Sequence, residues 1–289
     1  MQANAIQKSK NSITMRRFRK LAKNRLAIFG LFMALVVILL CICAPLLTDC
    51  DPTYMDVSLR YASPSAEHPL GCDQGGRDVL ARILYGGRIS IIIGLSCSLG
   101  ANLLGAALGC VTGYLGGKAD RIIMFIGEII TCFPSTMLVL IIQGFSGQGV
   151  AVMLIVFILT GWFSTMRLTR SQILSLKQET FVESCRANGI HKSSIMFRHL
   201  LPNAMGPFIV NITMNVGGYV LAEAGLSFLN LGVPKGIPTW GNMLEAARSV
   251  GGMINYPWLW IVPGVAISLF VLGINFFGDG LRDALDVSD

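Results

Sequence analysis

The chain has 289 residues, of which 53% are hydrophobic and only 13% charged, and its formal net charge is +7. This balance, with a positive mean hydropathy, excludes an ordinary soluble globular domain. The basic residues fall in short segments between apolar runs, so only the N-terminal arm could offer nucleic acid a surface, and the runs are too continuous for a β-barrel with strands of about 10 alternating residues.

A basic arm, residues 1–26, comes first. The apolar segment Ala27 to Thr48 meets the requirement of about 20 residues for a spanning helix. It is too long for a signal-peptide core and no small-residue cleavage site follows it, which predicts a retained anchor. Residues 49–88 form an extramembrane segment ending in RDVLARILYGG from Arg77. There Val79, Leu80, Ile83 and Leu84 share one helical face, suited to a helix lying in the membrane interface or packed on neighbouring spans.

Five further spans are predicted at Ile89 to Leu115, Ile122 to Phe145, Val150 to Leu168, Gly206 to Leu231 and Trp258 to Phe277, so residues 89–279 form a five-helix core and residues 280–289 a tail. Pro134 should kink the third span. Small residues at Gly105, Ala106, Ala107 and Gly109, and again at Gly217, Gly218 and Gly225, suit close helix packing. The segment between the fifth and sixth spans carries Pro234, Pro238 and Trp240, with Trp258 and Trp260 following; tryptophan here suits interface anchoring. The expected fold is an all-α membrane protein with six transmembrane helices.

Lys and Arg set the orientation. Eight precede Leu26, Lys118 and Arg121 follow the second span, six lie between Arg167 and Arg198, and Arg282 follows the sixth span. Against these stand Arg60, Arg77, Arg82, Arg88, Lys235 and Arg248, so the positive-inside rule puts both termini and the segment 179–203 in the cytoplasm. Cys41, Cys43, Cys97, Cys110 and Cys132 lie in spans and act as small hydrophobes. Cys185 should be reduced, whereas Cys50 and Cys72 lie outside and could pair if their geometry allowed it. His68, Cys72 and Asp73 lack a second ligand pair at helical spacing, so no metal is expected.

The segment TFVESCRANGIHKSSIMFRHLLPN, from Thr180 to Asn203, is a polar, basic island between spans. Thr180 and Glu183 have capping-box spacing, which predicts a helix starting at Phe181. Asn188-Gly189 supplies a left-handed helix end, Ser193 or Ser194 can cap a second helix, and Pro202 is unsuited to a helix interior. Helix, turn, helix is the expected product, in a loop that either docks a partner or merely connects two spans.

Chemistry-bearing motifs are missing elsewhere. GYLGGKA from Gly113 has the wrong spacing for a phosphate-binding loop and lacks Ser or Thr after Lys118, and neither HExxH nor GxSxG occurs. An enzymatic role has no residues to carry it.

The island resembles the EAA loop of binding-protein-dependent ABC importer permeases, with Glu183, Gly189, Leu201 and Pro202 in register. Ser184 and Cys185 stand for two alanines and His199 for an isoleucine. The stretches HPLGCDQGGRDVLARILYGGRIS from His68, GLSFLNLGVPKGIPTWGNML from Gly225 and NFFGDGLRDALD from Asn275 are similar to signatures of the peptide/nickel class, specifically the C-type subunit of dipeptide and oligopeptide importers.

The resemblance implies a six-helix permease of the type I ABC importer fold in a bacterial cytoplasmic membrane. It would pair with a homologous B-type permease, two ATP-binding subunits that hold ATP and Mg, and an extracytoplasmic solute-binding protein delivering peptide. This chain would itself hold no cofactor. The loop would carry a coupling helix shaped by Glu183 and Gly189, with Ser184, Cys185, Arg186, Ile190, His191, Lys192 and Ser193 offered to the ATPase, and Arg186 and Lys192 at the rim. The capping box accounts for the side chain of Glu183.

Glu128 and Glu223 are costly in hydrocarbon and should face the bundle interior, a partner or water. Both are pathway candidates, as is Pro134, and both could instead be structural: Glu128 lies two turns from Arg121, and Glu223 could bond to a neighbouring helix. Within the class, import of nickel, metal-opine complexes or glutathione is the alternative. An ion-coupled secondary transporter would need inverted repeats or broken helices around an ion site, and no repeat is evident. A purely structural membrane protein would leave the island and the intramembrane carboxylates unexplained.

Overall fold

The computed structural model describes residues 19–285; the expectations for residues 1–18 of the arm and 286–289 of the tail lie outside the described residues. Helix α1, Arg25–Ile42, begins at Asn24, whose side chain accepts from the Ala27 amide. Helix α2 runs from Val79–Leu115, 37 residues, behind Asp78, which caps it by accepting from Ala81 N at 2.6 Å. Then follow α3, Gly117–Cys132, α4, Ser135–Ser146, and α5, Val150–Leu176. Helix α6, Thr180–Ala187, is short, and α7, Met205–Phe228, and α8, Trp258–Leu285, follow; shorter helical segments such as Ala44–Leu47, Trp240–Met243 and Val250–Asn255 lie in the connections.

Helices α1, α2, α5, α7 and α8 are each long and apolar enough to cross a membrane. The third expected span is bent at Pro134 more sharply than a simple kink: α3 and α4 meet at 87°, and the pair counted as one broken span makes six. Pro134 is the cause. It sits in extended backbone between the helices and caps α4 with its carbonyl, which accepts from Met137 N and Leu138 N. The fourth span is longer than expected, ending at Leu176 rather than Leu168.

The helix expected after Arg77 forms the first turns of α2 and takes the second of its two expected placements, packed on neighbouring spans. No breaker separates it from the span, and Gly86 and Gly87 provide flat backbone against Thr239 and Trp240. Val79, Ile83 and Leu84 join Ile91, Val216, Val220, Trp240 and Phe270 in the largest buried cluster. Trp240 is therefore a core residue, 1% exposed with its indole donating to Ile83 O at 3.0 Å, and not an interface anchor. Trp258 and Trp260 are half-buried at the start of α8.

Small residues set the closest helix contacts. A Cβ at Gly109 would lie 2.5 Å from Met166 O, and one at Gly105 would lie 2.8 Å from Thr165 Cβ, so α2 and α5 meet along this stripe. Gly30 and Gly273 do the same for α1 and α8. Gly218 and Gly225 face open space, so close packing does not explain them. The chain direction brings Leu115, residues 176–205 and Leu285 to one end of the bundle, the loop end, and residues 43–78 and 229–257 to the opposite end.

Candidate functional site

At the loop end the backbone turns after α5 through hydrogen bonds from Gln178 N to Ser175 O and Glu179 N to Leu176 O. This makes Glu179, not Thr180, the last extended residue before α6, and no side chain caps the helix. The expected capping box is therefore absent: Thr180 is already helical and its carbonyl accepts from Ser184 Oγ at 3.0 Å. Glu183 is exposed, and its carboxylate is left free of the cap that was to explain it.

The left-handed end is present. Gly189 has φ +69°, with Ile190 N bonded to Cys185 O at 3.1 Å and Gly189 N to Arg186 O at 3.0 Å, the paired bonds of a Schellman end. The second helical segment starts two residues earlier than a cap at Ser193 would allow: His191 is its cap, accepting from Ser193 N, while Ser193 Oγ bonds His191 Nδ1 at 2.7 Å. A π turn, Ile195–Leu200, precedes Leu201–Asn203, so Pro202 enters at the start of a new helical turn where its missing N–H is harmless.

One face of this element is locked to the spans. Val182, Ile195, Met196 and Leu200 are buried with Cys110 and Tyr114 of α2 and Ile173 of α5, and Cys185, Ile190 and Leu201 pack at the edge. Lys177 donates to Tyr114 O at 2.7 Å, and the Arg186 guanidinium lies 5.3 Å from the centre of the Tyr114 ring. The other face is open: Glu183, Ser184, Arg186, Gly189, His191, Lys192, Ser193 and Pro202 are exposed. Beside it, Arg170 of α5 forms a two-pronged pair with Asp120 of α3, both contacts at 2.7 Å.

The pathway candidates separate. Glu223 is 0% exposed, accepting from Ser90 of α2 at 3.0 Å and from Ser227 at 2.8 Å, so its carboxylate bonds a neighbouring helix. Glu128 is exposed on α3, and among the described residues no ion pair joins it to Arg121. Pro134 lies at the α3–α4 corner.

Two cavities instead follow one face of α7. The first, about 380 Å³ at the loop end, is lined by Leu168, Pro207, Asn211, Met214 and Arg282. The second, about 270 Å³, lies further along and is lined by Ser135, Thr160, Asn215, Gly218 and Tyr219. Asn211, Asn215 and Tyr219 were missed in the sequence; the available signal was asparagine inside an apolar span. Asn211 Nδ2 donates to Asn102 Oδ1 of α2 and to Thr165 Oγ1 of α5, each at 2.9 Å, tying three spans together.

At the opposite end Asp73 is committed to structure. It accepts from Gly75 N and pairs with Arg77 at 2.8 Å and Arg82 at 3.3 Å; among the described residues His68 is grouped with Cys50 and Asp78 instead of Cys72 and Asp73. Cys50 and Cys72 are both free thiols. Burial, with Asp78, Asp73, Cys50 and Asp56 nearby, pushes the Cys72 thiol up to about 11.

Residues 105–287 match the family described as binding-protein-dependent transport system inner membrane component, and residues 12–64 match the N-terminal TM domain of oligopeptide transport permease C. The chain is 40% identical over 269 residues to the dipeptide transport system permease protein DppC of Alkalihalophilus pseudofirmus, covering 93% of this chain and 88% of the relative. It is 36% identical over 272 residues to the oligopeptide transport system permease protein OppC of Bacillus subtilis, covering 94% and 88%. It is 37% identical over 270 residues to the glutathione transport system permease protein GsiD of Pectobacterium atrosepticum, covering 93% and 89%.

Proposed function

The chain belongs to the family of binding-protein-dependent transport system inner membrane components, and on that premise we propose that it is the permease subunit of an ATP-driven importer of dipeptides and oligopeptides. Identity of 40% with a dipeptide permease over 93% of the chain carries the substrate class. The partners are a homologous B-type permease, two ATPase subunits that bind ATP and Mg, and a solute-binding protein outside. The loop end faces the cytoplasm, with both termini, in the bacterial cytoplasmic membrane.

The element from α6 to Asn203 is the seat of the ATPase. Its buried face moves with α2 and α5 while its open face carries Glu183, Ser184, Arg186, Gly189, His191, Lys192 and Ser193. ATPase closure shifts the loop as a rigid lever, and the α7 face holding Asn211, Asn215 and Tyr219 lines the path for cargo. Glutathione, itself a peptide, is the second reading, favoured by the similarity to GsiD.

Reconstitution tests this. Vesicles with this chain, its permease partner, the ATPases and the binding protein should accumulate labelled dipeptide only with ATP inside, and excess glutathione should compete poorly. Accumulation by this chain alone would overturn the proposal, and stronger inhibition by glutathione than by unlabelled dipeptide would favour the second reading.

A further inference from the structure

Three side chains from separate stretches converge at the end opposite the loop. Cys50 follows the exit of α1, His68 lies in the connecting segment, and Asp78 caps α2. Their ligand atoms all lie within 4.8 Å of one another, with Asp78 buried and the other two half-buried. We propose that Cys50, His68 and Asp78 form a binding site for a divalent, thiophilic cation of the Zn(II) type, independent of the cargo path.

The donor set fits this class of ion. Zn(II) binds thiolate at about 2.3 Å and imidazole or carboxylate at about 2.0–2.2 Å, so ligand atoms in a tetrahedral site lie about 3.3–3.8 Å apart. Closing from the present spacing takes side-chain adjustments of about 1 Å. Thiolate, imidazole and carboxylate together select a borderline-soft ion over Mg or Ca. Two negative charges balance a divalent ion, and the half-exposed mouth leaves a fourth position for water.

The backbone already holds the three groups in place. Cys50 N donates to Thr48 Oγ1 at 3.2 Å, His68 N to Ser65 Oγ at 3.1 Å, and Gly71 N to His68 O at 2.8 Å. His68 Nδ1 lies 2.9 Å from Asp78 Oδ2, while Asp78 Oδ1 is engaged by Ala81 N. The ordinary hydrogen bonding of this region therefore explains His68 and Asp78. It does not explain Cys50, whose thiol makes no hydrogen bond among the described residues and points at both. Binding transfers the Cys50 thiol proton to solvent as the sulfur–metal bond forms. The bound ion would fasten the anchor helix to the start of α2.

Cobalt titration of the untagged full-length chain in detergent, stripped of metal and kept reduced with a phosphine, tests the site. One equivalent of Co(II) should give a near-ultraviolet thiolate-to-metal absorption band. Cys50→Ser should abolish the band while Cys185→Ser retains it, and His68→Gln should weaken binding about a hundredfold, the upper range for losing even a supporting residue of a metal site. No band in the unaltered chain, a band that survives Cys50→Ser, or one lost in Cys185→Ser would overturn the proposal.

Discussion

Gly189 offers the sharpest test of the coupling element, because the structure separates its steric role from its conformational one. A Cβ at this position would meet nothing within 4 Å, yet φ is +69°. Left-handed backbone costs an ordinary L-residue about 1–2 kcal/mol. Gly189→Ala therefore adds strain without any clash, and if the loop sheds this strain by giving up its docked shape, uptake falls about 5- to 30-fold, since about 1.4 kcal/mol is a factor of ten. Asn tolerates left-handed backbone best among the other residues, so Gly189→Asn should lose less. Gly189→Leu adds a bulky side chain on the face given to the ATPase and should abolish uptake. The bundle is untouched in every case, because Val182, Ile195 and Leu200 still anchor the loop. Uptake of labelled dipeptide by cells expressing the whole importer, with the membrane level of each variant measured by immunoblot, gives the ranking Gly, Asn, Ala, Leu. Normal transport by Gly189→Leu at a normal membrane level would refute the coupling role.

Glu223→Gln should keep uptake within about twofold, since an amide can still bond both Ser90 and Ser227. Glu223→Ala removes the acceptor of both hydroxyl protons, which keep only the N–H bonds they accept from Trp240 and Val233, and should cost about 1–3 kcal/mol in detergent unfolding; loss of uptake in the Gln variant would show that the charge itself takes part in transport. Gly109→Ala drives a methyl group into the α5 backbone at Met166 and should destabilise by about 1–3 kcal/mol, whereas Gly218→Ala, in open space, should be neutral or slightly stabilising. Equal melting temperatures for the two would contradict the α2–α5 contact. Because the Cys72 thiol is raised to about 11, it stays protonated at neutral pH, with about one in a thousand ionised at pH 8. Maleimide should therefore label Cys50 first and reach Cys72 only on unfolding or as pH approaches that value; fast labelling of Cys72 at pH 7 would show that the segment is open.

The spans were legible because hydrocarbon imposes one signal, a long apolar run, on every helix that crosses it. Five of the six expected segments became continuous helices, and Pro134 broke the remaining one, as a residue without an N–H can. What the sequence concealed were outcomes of tertiary context. Trp240 carries the signature of an interface residue, but two glycines of α2 open a slot that buries it. Thr180 and Glu183 have capping-box spacing, but the turn after α5 ends one residue earlier and moves the cap to Glu179. Cys50, His68 and Asp78 are 10 or more residues apart and show no motif, because folding of an irregular segment sets their proximity. At the loop, Asn188-Gly189 announced its turn, since a left-handed position favours few residues.

On the proposed coupling, the polar groups along α7 would carry a push at the loop to the middle of the bundle. Residues 201–203 lead through Ala204 directly into α7 at Met205, so the loop and this span are one mechanical piece with no slack between them. Two turns into the helix, Asn211 is bound to Asn102 and Thr165, and Ser98 Oγ donates to Ile212 O at 2.7 Å beside it. These bonds fix α7 to α2 and α5 alongside the first cavity. Beyond that point one face of α7 borders the second cavity, with Gly218 in open space and Tyr219 at its wall, while the other is packed through Val216, Val220 and the Glu223–Ser90 bond. Held at Asn211 and again at Glu223, α7 carries a displacement as a rigid rod. On the proposed coupling, a push at the loop therefore reaches the cavity face of α7 as movement of the whole span.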